Sequence, residues 1–260
     1  MKIRTLYQRK KADKYNLKYE YDKSSKGRPA WIYVKSGLPE DIGYINIHLG
    51  KRGKEGKRIQ SYMRYLPDKL FLPIDYTKEE MEKYYNKWSS SYNKELKRTG
   101  FNINAGKFLV EKLKKHLKSG SLLDLGAGTG LITEIFTKEG FKPATLVDYS
   151  GGMLKEAKKN ENLKGSTFVK ADIRNLNLNR KYDVVISTFS FGSSSYFNLE
   201  ELPNILNIVM KHLKKGGIIC VLGHFGEDLF EKDFKVLDKG IYTLSKERKF
   251  YTDYFIGRLR

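Results

Sequence analysis

A single cysteine, Cys220, excludes an intrachain disulfide and any metal site built from cysteine alone. There are four histidines, and His48, His116 and His212 share no metal-ligand spacing, so no metal centre is expected. Long apolar runs are missing. Those present, such as Gly217 to Gly223, fall far short of the roughly 20 residues that a membrane-spanning helix needs. Met1-Lys2-Ile3-Arg4 turns polar at once, so no secretory signal core is expected there. These absences point to the reducing cytoplasm. Acidic groups are also outnumbered: 50 Lys and Arg face 30 Asp and Glu, a net charge of +20. With 40% hydrophobic and 31% charged residues in 260, the chain is expected to fold as a globular protein.

The positive charge is uneven. Residues 1–78 hold 19 basic and 8 acidic groups, about +11 of the total. Such a field attracts polyanions, RNA first among them. A composition in which Lys greatly outnumbers Arg is equally what an AT-rich genome produces.

Three regions follow one another. Residues 1–75 form a basic, tyrosine-rich stretch in which 30–34 and 43–49 read as strands, the second with period-two alternation. Residues 50–58 read as a charged turn, 58–66 as a further strand, and Pro73 as a linker. Residues 77–117 read as two helices. Thr77 and Glu80 make a capping-box pattern. Met81, Tyr84, Tyr85 and Trp88 recur at helical spacing, and Phe108, Leu109, Leu113 and Leu117 share a face of the second helix, about 104–117. Core packing explains both stripes. From Ser121, short apolar strands (122–125, 144–148, 167–171, 182–188, 217–222) alternate with helices (129–139, 152–160, 199–213). This predicts an α/β fold with a doubly wound, mostly parallel sheet. Residues 234–244 and 250–259 read as an antiparallel hairpin at the sheet edge.

Three strand ends carry chemistry. Leu122-Leu123-Asp124-Leu125-Gly126-Ala127-Gly128-Thr129-Gly130 joins the first strand of this sheet to its helix. Its glycines permit a sharp turn and the approach of a ligand to amides at the helix start. Asp148 ends the next strand, where an acid accepts hydrogen bonds from ribose hydroxyls. Asp172 follows the third strand, where a carboxylate takes an exocyclic amine of adenine and the Ile173 amide a ring nitrogen. Ile173 and Met153 would sandwich the base. Helix capping is the plain alternative for Asp172. A dinucleotide fingerprint would need a third glycine where Leu131 stands.

This constellation resembles the class I S-adenosylmethionine-dependent methyltransferases, from about Tyr84 to the C-terminus. Residues 122–130 look like that family's first motif. Val147-Asp148-Tyr149-Ser150-Gly151-Gly152-Met153-Leu154 is similar to the acidic second motif of its small-molecule, ubiquinone-biosynthesis-like branch. Residues 182–187 resemble its fourth strand, and 213–217 the turn before its fifth. Residues 85–93 resemble its lid helix, with Asn86 and Asn93 where the family usually has Asp. The resemblance implies a seven-stranded Rossmann-like methyltransferase sheet and S-adenosylmethionine as cofactor. It implies cofactor contacts at Tyr92, Asp124, Gly126, Ala127, Gly128, Gly130, Asp148, Tyr149, Met153, Asp172, Ile173 and Thr188. With the strand pattern and charge of the first third, the expected division is a small basic β-rich module, 1–75, and a methyltransferase domain, 76–260, with lid helices at 76–118.

The acceptor is expected above the tips of the fourth and fifth strands, near Phe189, Ser190, Phe191 and Phe225. Ser187-Thr188-Phe189-Ser190 lacks the Asn/Asp-Pro-Pro-aromatic motif that marks methylation of exocyclic amines in nucleic acids. Cys220 lies inside a strand, not at a tip where a nucleophile would be needed. His224 is the candidate catalytic base, required only for an acceptor that starts protonated. The expected partner is a small-molecule acceptor. Alternatives are an RNA methyltransferase whose Arg28, Trp31, Tyr33, Tyr44, Lys51, Arg52 and Arg58 hold RNA, and a non-catalytic S-adenosylmethionine-binding interaction protein.

Overall fold

The computed structural model describes residues 18–21, 30–35, 48–49, 69–71, 78–190, 201–223, 229–245 and 250–260. The expected cap at Thr77, the turn at 50–58, the strand at 58–66, the linker at Pro73, and Phe191, His224 and Phe225 lie outside them.

Four short strands form an antiparallel sheet: β1 (Lys18–Tyr21), β2 (Ala30–Lys35), β3 (His48–Leu49) and β4 (Lys69–Phe71). β2 pairs with each of the others, through Tyr21↔Ile32, Ala30↔Leu49 and Tyr33↔Phe71. β1 and β4 are additions to the sequence reading. Two helices follow, α1 (Lys78–Thr99) and α2 (Phe101–Lys114). They are separated by Gly100, whose φ of 69° a side chain would strain.

The remaining elements are β5 (Leu122–Leu125), α3 (Leu131–Lys138), β6 (Ala144–Asp148), α4 (Gly151–Ala157), β7 (Thr167–Lys170), β8 (Tyr182–Thr188), α5 (Leu202–His212), β9 (Leu213–Gly223), β10 (Phe234–Ser245) and β11 (Phe250–Leu259). They build a seven-stranded sheet in the order β10-β11-β9-β8-β5-β6-β7. β7, β6, β5, β8 and β9 run parallel, and β11 and β10 close the edge antiparallel.

Period-two alternation sorts each central strand between two cores. Leu122, Val184, Ile186 and Cys220 pack with Leu109 and Leu113 of α2, Ile132 and Phe136 of α3, and Leu154 of α4. Leu123, Val185, Ile219 and Val221 pack with Ile205, Leu206 and Val209 of α5. With both faces covered, the central strands are mostly apolar, as parallel strands of this kind are, with Asp124 of β5 and Ser187 of β8 as buried polar exceptions. The hairpin register is pinned by Lys112 of α2, whose Nζ reaches Asp238 Oδ2 at 2.8 Å. Tyr254 donates its hydroxyl to the other oxygen of that carboxylate at 2.8 Å. β9 begins earlier than its glycines suggest. Tyr182 pairs with Leu213 and Val184 with Ile218, and the extra residues bulge around Gly216, φ 70°.

Candidate functional site

The C-terminal tips of β5, β6, β7 and β8 surround a cavity of about 120 Å³, roofed by α1. This is where a parallel α/β sheet offers a crevice, because its loops diverge at the strand ends.

The loop after β5 is held to β6: the Gly126 and Ala127 amides donate to the Val147 carbonyl at 2.8 and 3.0 Å. Gly126 has φ 79°, and a Cβ there would stand 2.0 Å from Ser190 Oγ. Gly128, φ 57°, has open space around it, so its requirement is conformational. The Gly128 amide donates to Asp148 Oδ2 at 2.7 Å, and the Gly130 amide to the Ala127 carbonyl at 2.9 Å. The sequence reading had these amides facing a ligand. In the structure the amides of Gly126, Ala127, Gly128 and Gly130 are spent within the protein. What the glycines provide is left-handed backbone at Gly126, Gly128 and Gly130 and, at Gly126, the room that Ser190 occupies. α3 starts at Leu131, two residues later than expected, because Gly130 is left-handed, φ 75°.

Asp148 lines the cavity, and its second oxygen accepts from the Ser150 amide at 2.7 Å. Burial raises its pKa to about 6, against the lowering effect of the Ser150, Gly128 and Tyr149 amides. Asp124 lies deeper, 1% exposed, and outside the cavity wall. Its Oδ2 accepts from Thr133 Oγ1 at 2.5 Å, while its Oδ1 is buried without a partner. Burial pushes this carboxyl up to about 7; the Thr133 bond lowers it and the nearby Asp148 raises it. Gly130 is also absent from the wall, since it packs toward Leu163 and Leu146.

Asp172 lines the cavity and also caps the turn Ile173–Asn175, as the capping reading expects. Its Oδ1 accepts from the Arg174 amide at 3.0 Å and from Arg174 Nε at 2.8 Å. Its Oδ2 accepts from Lys78 Nζ at 3.0 Å. Burial alone would raise this carboxyl; Arg174 and Lys78 outweigh burial and hold it below the ordinary value. Tyr149, Met153 and Ile173 line the same wall.

The roof is α1. Met81, Tyr85 and Tyr92 line the cavity, whereas Trp88 backs them, its ring 4.6 Å from Tyr92 in a T-shaped contact. Of the stripe Met81, Tyr84, Tyr85 and Trp88, Met81 and Tyr85 line the cavity, and so does Tyr92 of the expected lid segment 85–93; the three are spaced i, i+4, i+11. Burial, with Tyr85 and Asp148 nearby, raises the Tyr92 hydroxyl well above its usual pKa, and Asn102 hydrogen-bonds to it. Asn86 Oδ1 accepts from Ser150 Oγ and from the Gly152 amide, both at 2.7 Å, at the start of α4. Asn93 Oδ1 accepts from Thr129 Oγ1 at 2.5 Å. Every donor here is neutral, so a carboxamide oxygen serves in place of the family's carboxylate.

At the acceptor end, Thr188, Phe189 and Ser190 line the wall. Phe189 is left-handed, φ 58°, an unusual conformation for a bulky residue, and its amide donates to the Leu222 carbonyl at 2.6 Å. That kink turns Ser190 onto Gly126. Burial raises the Cys220 thiol far above its ordinary pKa, which fits an inert core residue. Lys78, Asn102, Thr129, Leu131, Ile132, Ala171 and Arg174 also line the cavity and were not singled out from sequence. Among the described residues no cluster of His, Cys, Asp or Glu has the makings of a metal site, and no helix is long and apolar enough to cross a membrane.

Residues 122–217 match the family model described as a methyltransferase domain. A malonyl-[acyl-carrier protein] O-methyltransferase of Bacillus cereus is 32% identical over 138 residues, 53% of this chain and 48% of that protein. A dTDP-3-amino-3,4,6-trideoxy-alpha-D-glucopyranose N,N-dimethyltransferase of Streptomyces venezuelae is 37% identical over 105 residues, 40% of this chain and 42% of that one. The chain thus spans about half the length, 48%, of the first of these relatives. In fold it is similar to magnesium protoporphyrin IX methyltransferase from Synechocystis PCC 6803 with bound S-adenosylhomocysteine. The TM-score is 0.56 and the identity 16%, covering 70% of this chain and 99% of that one. It is also similar to the N-methyltransferase NodS from Bradyrhizobium japonicum in complex with the same compound, with TM-score 0.55 and 13% identity over 64% of this chain and 90% of that one. Over residues 122–217 the chain is thus similar, in motif, fold and family match together, to the class I S-adenosylmethionine-dependent methyltransferases.

Proposed function

We propose that this chain binds S-adenosylmethionine in the cavity over the β5–β8 tips and transfers its methyl group to a small-molecule acceptor. The observation that carries the reading is that the glycine loop, Asp148 and Asp172 line one cavity together with Tyr85 and Tyr92 of α1. The walls suit this cofactor. Gly128, with open space about its α-carbon, lets a ligand come close to the backbone, as the methionine part requires. Asp148 lines the cavity with each oxygen fixed by one backbone amide, which leaves acceptor capacity for a ligand. Asp148 would accept the ribose hydroxyls. Asp172, kept ionised by Arg174 and Lys78, would accept from the adenine amine, with Ile173 and Met153 against the ring faces.

When bound, the cofactor supplies a methyl group already activated on a sulfonium. The chain's own residues supply proximity, alignment and exclusion of water. Tyr85 and Tyr92 in the roof, and Phe189 in the wall, keep the reacting region dry and fix its shape. His224 would serve as base if the acceptor starts protonated, and Phe191 and Phe225 would complete the acceptor's surroundings. Residues 76–260 would form this domain and 1–75 an added basic module.

A second acceptor form, an acyl group carried on an acyl-carrier protein, is favoured by the Bacillus cereus relative's substrate. The relatives named above act on a carrier-bound malonyl group and a nucleotide sugar, which supports these readings over the RNA one. Transfer of a tritiated methyl group into cell extract, fractionated into small molecules, protein and RNA, tests the proposal. Label in the small-molecule or carrier-protein fraction is expected. Label confined to RNA, or none anywhere, would overturn it.

A further inference from the structure

The roof helix is fastened by a polar stripe. Lys78, Glu82, Asn86 and Asn93 fall within an arc of about 80° at 3.6 residues per turn. The two halves of the stripe differ in kind. Asn86 and Asn93 make neutral hydrogen bonds to the loops after β6 and β5. Lys78 and Glu82 make ion pairs, and both reach the end of β7. Lys78 Nζ lies 3.0 Å from Asp172 Oδ2, and Lys170 Nζ lies 2.6 Å from Glu82 Oε1. The polarity is crossed, with cation and anion on the helix meeting anion and cation on the strand end, so the pattern is self-complementary and sets one register. Lys78 and Asp172 line the cavity, and the Lys78 side chain is 43% exposed, which puts this pair at the solvent-facing rim. Glu82 and Lys170 stand outside the wall.

We propose that these two ion pairs form a clasp that holds the first turns of α1 across the cavity rim and sets how fast a ligand enters and leaves. The inference rests on the cofactor reading above and adds its regulation. Partly exposed pairs are weak one by one, so the clasp opens readily, whereas the aromatic contacts and the Asn86 and Asn93 bonds keep α1 docked beyond its first turns. Asp172 is the hinge of the idea. The carboxylate that would receive the adenine amine is the one that Lys78 grips, so seating the base and closing the rim draw on the same group. Salt screens such pairs, and ligand exchange therefore quickens as ionic strength rises.

Glu82 and Lys170 allow a test that leaves the cavity wall untouched. Stopped-flow fluorescence, with Trp88 beside Tyr92 as reporter, follows binding of S-adenosylhomocysteine to the whole chain. Glu82→Lys, which sets two cations face to face, is expected to speed association and dissociation about 3- to 10-fold. Glu82→Gln should do so less, and the exchanged pair Glu82→Lys with Lys170→Glu should return the rates to those of the unaltered protein. Rates unchanged by Glu82→Lys, or not restored by the exchange, would overturn the clasp. Hydrogen exchange of α1 amides provides a readout that needs no ligand, with faster exchange in Glu82→Lys and recovery in the exchanged pair. If the unaltered protein fails to bind S-adenosylhomocysteine while α1 exchange follows the charge pattern, the clasp stands as a fastening and the cofactor reading falls. If binding occurs and neither rates nor exchange respond, the cofactor reading stands and the clasp falls.

Discussion

Replacing Asp124 by Asn tests the electrostatics beneath the glycine loop in solution. Asp124 is 1% exposed, with one oxygen on Thr133 and the other unpartnered. Its carboxyl is pushed from 3.8 to about 7. In the unfolded chain it ionises near 3.8, so between these values the native state holds more protons than the unfolded one. Stability from this group is therefore complete below about pH 4 and is lost as pH rises through about 7. The loss between pH 5 and pH 8 works out at about 2–3 kcal/mol, at 1.36 kcal/mol per unit. Asn has nearly the same shape and no such titration. Whatever it costs at one pH, its stability relative to the parent should rise by about 2–3 kcal/mol from pH 5 to pH 8. Urea unfolding of both proteins at the two pH values measures this, with equal slopes as the check on two-state behaviour. Parallel pH dependence of the two proteins would refute the argument, because it would mean that Asp124 ionises in the fold as easily as in water.

Asp148→Ala removes the acceptor for the Gly128 and Ser150 amides together with the expected ribose partner, so calorimetry should find S-adenosylhomocysteine bound about 1–3 kcal/mol more weakly; unchanged affinity would remove this assignment. Asn86→Ala strips the acceptor from Ser150 Oγ and the Gly152 amide and should lower thermal stability by about 1 kcal/mol, whereas Asn86→Asp should match or exceed the parent, since a carboxylate there faces the start of α4; equal melting of all three would contradict the capping role. Neutralising Lys51, Arg52, Lys57 and Arg58 together is expected to leave methyl transfer and RNA affinity as they were. A gel shift that weakens, with a salt slope flattened by about 0.7–0.9 per lost contact, would instead promote the RNA reading.

Much of the site was legible in the chain because its signals are local. A glycine-rich link between an apolar strand and a helix, and an acid closing each of the next two strands, are readable without knowing what lies across the molecule. Strand and helix periods read the order of elements for the same reason, and Asp124, Asp148 and Asp172 arrive near one another because parallel strands all end on one side of the sheet. What remained was decided by groups meeting through space. Asp172 is shared with Lys78, 94 residues away in sequence, and the start of α4 is capped by Asn86, 66 residues before it. Burial of Asp124 and Asp148, not their residue type, moves their pKa values upward. The loop amides look like ligand donors in sequence, yet the Val147 carbonyl and the Asp148 carboxylate consume those of Gly126, Ala127 and Gly128. The left-handed turn at Phe189 follows from no local preference; it persists because Leu222 holds its amide while Ser190 fits the space that Gly126 leaves open. Strand order was likewise tertiary: β11 lies between β9 and β10 because an antiparallel return beside β9 satisfies the backbone groups that β9 would otherwise expose. Hydrogen bonds and charges choose partners by distance in the folded chain, and the linear sequence does not encode that distance.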